Sequence, residues 1–292
     1  MRSKRRKTGI RSVVIFHNER KPEAARALQA VRRRLKKARI TAWLVGGKES
    51  KKHLRTAEMA IAIGGDGTML RAARMLAPVT APLLGINVGG LGYLSAVDPK
   101  GFQKNFRRIV SGGYDVEQRY MLSVEMRRKG KTVFGPHPVI NDCVVRAGDQ
   151  VRAVLLEVES RSRRVADYFG DGIILATPTG STAYALSVGG PVIVPGVDAL
   201  LLAPICPHAL TSRPLITSSS DPVILRLKRK NPYDRPRALV SLDGQLDRPL
   251  QVGDEVHVRR DGRPFRLLVP PERSYFDVLR QKLKWGGTAS SC

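Results

Sequence analysis

Residues Met59–Leu70 read M-A-I-A-I-G-G-D-G-T-M-L. A short apolar run stops at Gly64, three glycines bracket Asp66, and Thr68 opens a segment with apolar residues at helical spacing. The pattern predicts a buried strand, a tight glycine turn and a helix N-terminus. Glycines let the backbone come close to a ligand, and free N–H groups in a first helical turn attract phosphate. A carboxylate placed there repels phosphate unless a cation or a departing proton accompanies it. Asp66 therefore calls for a chemical explanation. The plain alternative is a strand–turn–helix connection with a capping Asp.

The chain on either side repeats the alternation. Ser12–His17 is a β-branched strand, and Pro22–Arg39 is helical, with Leu28, Val31 and Leu35 on one face and basic residues on the other. Thr41–Val45 is a second strand. After the glycine turn, Met69, Leu70, Ala73 and Leu76 continue a helix. Pro82–Val88 is another strand ending in Gly89-Gly-Leu-Gly92, and Phe102, Phe106 and Ile109 mark a further helix. Strands alternating with helices imply a parallel sheet with covered faces, whose ligands bind beyond the carboxyl ends of the strands. Both glycine turns fall at such ends.

After about Tyr114 strand runs replace the helical periods: Met121–Met126, Thr132–Phe134, Val139–Val145, Val154–Val158, Gly172–Thr177, Pro222–Leu227, Ala238–Leu242 and Glu255–Arg259. Arg128–Lys131 and Ser160–Arg163 look like hairpin turns. Ser274–Trp285 is amphipathic and is expected to dock back on the core. The expectation is an α/β, Rossmann-like parallel-sheet domain over residues 1–115, joined by the C-terminal segment 264–292. A β-rich, sandwich-like domain over 116–263 follows it.

Composition bounds the function. At 42% hydrophobic residues the 292-residue chain is an ordinary globular protein, and its longest apolar runs fall short of a membrane span. The basic N-terminus, Lys4-Arg-Arg-Lys7 included, reads as a disordered tail, and with no apolar stretch following it, it is not a secretory signal. Cys143, Cys206 and Cys292 form no disulfide framework and no metal spacing, which suits a reducing cytoplasm. Cys206-Pro-His208 reads as a turn or core element. The outlier is charge: 51 Lys and Arg against 25 Asp and Glu give +26. Such a balance favours polyanionic partners such as nucleotides or polyphosphate, set against a diffuse solvated surface.

No Walker-type P-loop, kinase catalytic loop or nucleophile elbow is present. Four stretches remain: Gly64-Gly-Asp-Gly-Thr68; Asn141-Asp142, polar residues in an apolar strand; Gly170-Asp-Gly-Ile-Ile-Leu-Ala-Thr-Pro-Thr-Gly-Ser-Thr-Ala-Tyr184; and Ser241-Leu-Asp-Gly-Gln245. In the third, a strand enters a loop of small hydroxyl residues and then a helix start at Ser181. That loop offers backbone donors, hydroxyls and one aromatic to a nucleotide.

In this order the four stretches resemble the NAD kinase family, ATP- or polyphosphate-dependent. Gly189-Gly-Pro191, Pro204–Pro214 and the closing Ser274–Trp285 resemble it too, so the likeness omits only about the first ten residues. The resemblance implies phosphoryl transfer from ATP to the 2′-hydroxyl of the adenosine ribose of NAD, with Asp66 as proton acceptor and Mg²⁺ as divalent metal cation. It assigns Gly64, Gly65, Gly67 and Thr68 to the phosphate-donor loop. Gly67 and Arg71 help hold the dinucleotide, Asn141 and Asp142 take the adenine edge and ribose hydroxyls, and Asp171 touches the nicotinamide half. Thr182, Ala183, Tyr184 and Ser187 embrace the nucleotide, and Gln245 and Arg152 add polar contacts. Phe169 stands where some members carry an Arg tied to the choice between NAD and NADH. The family implies a cytoplasmic homo-oligomer, dimer or tetramer, with no membrane and no specific nucleic acid as partner. A lipid or sugar kinase sharing the glycine motif, or a non-enzymatic polyanion-binding protein, are the alternatives. Diacylglycerol kinases typically carry Gly-Thr-x-Asn-Asp after the glycine motif, where this chain has Gly85-Ile-Asn-Val-Gly-Gly-Leu-Gly92.

Overall fold

The computed structural model describes residues 2–3, 9–46, 50–90, 92–148 and 153–284. Arg152, the Lys4–Lys7 tail, Leu91, Trp285 and Cys292 lie outside the described residues. The chain forms two compact units, residues 1–119 with 265–292, and residues 120–264.

The first unit begins with β1 (Arg2–Ser3), β2 (Ser12–His17), α1 (Pro22–Lys37), β3 (Thr41–Leu44), α2 (Ser50–Thr56), β4 (Met59–Gly64), α3 (Asp66–Leu76), β5 (Leu83–Asn87), α4 (Pro99–Val110) and β6 (Asp115–Arg119). The second holds β7 (Leu122–Arg128), β8 (Lys131–Val139), β9 (Asp142–Ala147), β10 (Val154–Ser160), β11 (Arg163–Gly170) and β12 (Gly172–Ala176). After a short 3₁₀ turn (Gly180–Thr182) come α5 (Tyr184–Ser187), β13 (Leu200–Ile205), β14 (Leu215–Thr217), β15 (Val223–Lys228), β16 (Ala238–Leu242), β17 (Leu246–Leu250) and β18 (Asp254–Arg260). The chain then returns to the first unit as β19 (Phe265–Val269) and α6 (Tyr275–Leu283).

The first unit's sheet has the order β3-β2-β4-β5-β19-β6-β1. β3, β2, β4, β5 and β19 run parallel to one another, and β6 is antiparallel to β19. From β2 the chain steps to β3 on one side, then crosses back to β4 on the other. β2 and β4 thus flank a topological switch point, where open α/β sheets hold their ligands. β4 and β5 are buried along their whole length, as strands covered on both faces must be. Leu28, Val31 and Leu35 of α1 and Phe102, Phe106 and Ile109 of α4 cover one face. α1 stops two residues before the predicted Arg39, which takes a positive φ of 58°. β6 lies wholly in this sheet, although the boundary drawn from the sequence cuts it at residue 115.

The second unit is a sandwich of two antiparallel six-stranded sheets, β11-β10-β15-β18-β7-β8 and β14-β13-β12-β9-β16-β17. Strands β7, β10, β15 and β18 alternate buried and half-exposed residues, so only one face of their sheet is covered. In the other sheet β12 and β13 are buried throughout. Its inner face joins the sandwich core, and its outer face packs against Ala185, Ile193 and Ala199. That second cover comes from the segment that follows the third of the motif stretches, which ends at Tyr184.

Two predicted elements differ. The single run Val139–Val145 is two strands, β8 and β9, broken at Ile140-Asn141. The helix expected from Ser181 is one 3₁₀ turn followed by the single turn α5, and the Ser181 hydroxyl does not cap it. It is buried, donating to the Pro178 carbonyl (2.7 Å) and accepting from the Ile193 N–H (2.9 Å), and so stitches the loop closed.

Candidate active site

In the first unit the site is built around the start of α3. Gly65 is the N-cap in extended conformation and Asp66 is the first helical residue. Asp66 does not cap its own helix. Its carboxylate turns to the loop after β5, accepting from the Tyr93 N–H at 3.1 Å and the Leu94 N–H at 3.3 Å. A Cβ on Gly92 would collide with Asp66 Oδ1, so only glycine lets that loop come so near. Asn87, at the end of β5, shapes the same loop: its side chain donates to the Gly90 carbonyl (2.5 Å) and accepts from the Gly89 N–H (2.8 Å). Ser95 closes it, its Oγ accepting from the Gly92 N–H at 3.1 Å.

The glycines of the motif divide their work. Gly64 is buried, and a Cβ there would strike the Thr68 hydroxyl, so Gly64 and Thr68 pack against each other. Gly65 faces open space and Gly67 is exposed. Of the four residues assigned to a donor loop, these two present accessible backbone. Arg71, one turn along and exposed, donates to the His17 carbonyl at 3.1 Å, which ties α3 to the end of β2 at the switch point.

In the second unit one acid organises the site. Asp243 and Gly244 have positive φ, 51° and 61°, and the Gln245 N–H bonds the Leu242 carbonyl at 2.9 Å. This is the two-residue hairpin turn that Asp-Gly favours. Asp243 is buried, and its carboxylate accepts from the N–H groups of Ile140 (3.1 Å), Asn141 (2.7 Å) and Asp142 (3.3 Å). Those are the donors left over where β8 gives way to β9. Thr177 clamps the other side, donating to the Ile140 carbonyl at 2.6 Å while its N–H bonds the Asn141 carbonyl at 2.9 Å. Gly180 rests on the Asn141 backbone so closely that a Cβ would collide with it. Asn141, Asp142, Gln245 and the loop Thr182–Ser187 are thereby gathered at one end of the β12-β9-β16 sheet. Thr182 is half-buried and bonded to the Thr179 carbonyl (3.2 Å), whereas Tyr184 and Ser187 are exposed.

Asp142 sits 5% exposed beside Asp243. Burial first, and the Asp243 charge second, push its carboxyl up to about 7. The same burial, with Asp142 and Asp243 adding to it, raises the Cys143 thiol and leaves it inert at neutral pH.

Asp171 is not part of that cluster. Ala176 pairs with Asp142 at one end of β12, while Gly172 pairs with Arg146 at the other. Asp171 thus lies roughly 16 Å of strand away from Ala176. It is exposed, and a hydrogen bond to it raises the thiol of Cys206, an exposed residue in a turn with φ 43°. Phe169 nearby packs at a tilt against His208, with ring centroids 4.6 Å apart, and the Lys230 ammonium lies 4.2 Å over its ring. A cation therefore stands at Phe169 even though that position carries no Arg.

Asp243 and Thr177 have structural roles that nothing local in the sequence assigns to them, although both lie inside the four motif stretches. The Asp-Gly pair between two strands signals the turn at the first, not what its carboxylate bonds. Among the described residues no group of three or more His, Cys, Asp and Glu side chains comes together to hold a metal ion.

Residues 18–114 match the family model described as the ATP-NAD kinase N-terminal domain, and residues 140–269 match that of the C-terminal domain. A curated NAD kinase from Geobacter sulfurreducens is 40% identical over 79% of this chain and 79% of its own length. One from Syntrophobacter fumaroxidans is 34% identical over 95% of this chain and 99% of its own. Among solved structures, yeast NADH kinase complexed with NADH superposes with a TM-score of 0.89 over 97% of this chain and 90% of that one. At 23% identity this likeness bears on the fold alone.

Proposed function

The chain belongs to the ATP-NAD kinase family and is an enzyme that phosphorylates NAD, and from that premise we propose how its residues divide the work. Asp66 accepts the proton of the ribose 2′-hydroxyl as that oxygen attacks the γ-phosphorus of ATP. The new O–P bond forms, the bond from the γ-phosphorus to the β–γ bridging oxygen breaks, and ADP leaves. The observation that carries this reading is the carboxylate fixed by two backbone N–H groups at a helix start, beside the switch point. A ribose hydroxyl is a poor nucleophile, and an aligned acceptor speeds its transfer by about 10²–10⁴-fold. The accessible Gly65 and Gly67 backbone and the helix start suit the donor phosphates, with Arg71 as the nearby cation.

A divalent cation, Mg²⁺, fits as a companion of the nucleotide phosphates rather than as an ion in a protein cage. One carboxylate, substrate phosphates and water are its usual ligands, and Asp66 is the acid at hand. It would supply charge neutralisation on the transferring phosphoryl group. Asn141 and Asp142, oriented by Asp243, hold the adenine edge and ribose hydroxyls. Thr182, Ala183, Tyr184, Ser187 and Gln245 line the same end.

Asp171 lies too far along β12 to serve that end in its own chain. We assign its role at the nicotinamide half to a second copy, in a homo-oligomer. A cytoplasmic setting accords with the two free thiols, Cys143 and Cys206, and among the described residues no helix is long and apolar enough to cross a membrane. The excess charge favours inorganic polyphosphate as a second donor. Of the 51 Lys and Arg, 31 fall in the first unit's span, against 10 of the 25 acids.

The test measures NADP formed from NAD and Mg²⁺ with ATP or polyphosphate, for the wild type and Asp66→Asn. Loss of turnover by 10²-fold or more, with the KM for NAD held within a few-fold, is the expected result. Full turnover by Asp66→Asn would remove the assigned base, and ATP-only activity would remove the second donor.

A further inference from the structure

Arg273 belongs to the C-terminal segment that returns to the first unit, 207 residues after Asp66 in sequence. Its Nη1 donates to two carbonyls of the loop that holds the Asp66 carboxylate, Ser95 at 2.7 Å and Ala96 at 3.2 Å. The relay is short: Asp66 bonds the N–H groups of Tyr93 and Leu94, and the next two residues hand their carbonyls to Arg273. On its far side this part of the loop is pinned to β5, the Ala96 N–H bonding the Gly85 carbonyl at 2.9 Å.

The arginine is half-buried, and among the described residues no carboxylate is hydrogen-bonded to it and its buried Nη2 has no partner. Burial pulls its affinity for a proton down, while Asp277 and Asp66 act on it through space in the opposite direction. Withdrawing a guanidinium from water without a bonded counter-ion is costly, so stability alone is a poor reason for it. The segment around it is well anchored. Ser274 and Asp277 form a reciprocal capping box at the start of α6, and the Arg273 N–H bonds the Pro270 carbonyl at 3.1 Å.

We propose that Arg273 is a positioning residue for phosphoryl transfer: it braces the 92–96 loop so that Asp66 meets the ribose hydroxyl in line. The inference rests on the reading of Asp66 as proton acceptor. Its consequence is a split between turnover and binding, because displacing a reacting group by about 1 Å costs up to 10²-fold in rate.

The experiment is a double-mutant cycle on the full chain, with kcat and the KM for NAD measured for the wild type, Arg273→Met, Asp66→Asn and the double variant. Arg273→Lys is included, since one ammonium can still reach both carbonyls, and urea unfolding reports whether each variant is folded. Arg273→Met should lower kcat about 10- to 100-fold and leave the KM for NAD within about threefold. Arg273→Lys should recover part of the loss. In the Asp66→Asn background the Met substitution should cost nothing further, because the group it positions is gone. Wild-type kcat in folded Arg273→Met overturns the proposal, and so does an equal proportional loss in both backgrounds, which is what a merely structural role gives. If Asp66→Asn itself turned over normally, the base assignment would fail first.

Discussion

Replacing Asp142 by Asn tests whether the second unit stores an electrostatic cost at its binding end. In an unfolded chain this carboxyl titrates near 3.8, and in the fold burial and Asp243 push it up to about 7. The folded protein therefore keeps a proton that the unfolded chain gives up across that window. The contribution favours the fold fully below pH 3.8 and is lost as pH rises through about 7, above which the curve is flat. Each pH unit is worth roughly 1.4 kcal/mol, so the whole window amounts to about 4 kcal/mol as a ceiling. Asn has the same shape and no charge to hold. Asp142→Asn should thus be more stable than the wild type at pH 8, with an advantage about 3 kcal/mol smaller at pH 5. Urea unfolding at the two pH values measures it. If Asp142 holds the ribose hydroxyls as proposed, the KM for NAD should rise in the same variant, because the amide keeps one acceptor oxygen and turns a donor where the second carboxylate oxygen stood. A stability difference that stays the same from pH 5 to pH 8, or a wild type that is the more stable at pH 8, would refute the reasoning. So would a gain in stability with no loss of NAD binding, since nothing would then explain why the acid is kept.

Gly92→Ala puts a methyl group where Asp66 Oδ1 now stands. Turnover should fall about 10²-fold while circular dichroism and the urea midpoint change little, and wild-type kcat would show that the carboxylate need not sit against this loop. Mixing Asp66→Asn with Asp171→Ala chains, after dissociation and reassembly, should yield activity above the sum of the two parents. A site in which one copy gives Asp66 and another gives Asp171 is then whole, and if no activity returns, Asp171 acts within its own chain or not at all.

The parts of this molecule legible in the sequence are those whose signal is local. The apolar run into Gly64 and the residues at helical spacing after it fix strand, turn and helix without reference to anything distant. Asn141-Asp142 stands out because polar residues in a strand need a reason. What gives them one, the carboxylate of Asp243, lies about a hundred residues on, and its meeting with Asn141 depends on β16 pairing with β9. The break between β8 and β9 was hidden for the same reason: Val139–Val145 reads as one strand until the three N–H bonds to Asp243 are seen. Polar edge strands such as Arg163–Gly170, exposed over much of their length, lack the alternation that marks a half-buried strand. Arg273 carries no local mark whatever. It is one basic residue among 51, distinguished only by the two carbonyls it reaches.

The place of β19 in its sheet has a consequence for how the enzyme comes into being on the ribosome. The second unit is a continuous stretch, and it can fold once residue 264 has emerged. The first unit cannot, because the strand between β5 and β6 is still unmade when both of those have long been available. Its completion waits on contacts between segments nearly 150 residues apart, a slow closure by the usual relation between topology and folding rate. Arg273 arrives in that same final segment. A chain cut short before it would hold a finished sandwich and an acid without its brace. On the proposed reading of Asp66 and Arg273, competence for catalysis waits for this returning segment.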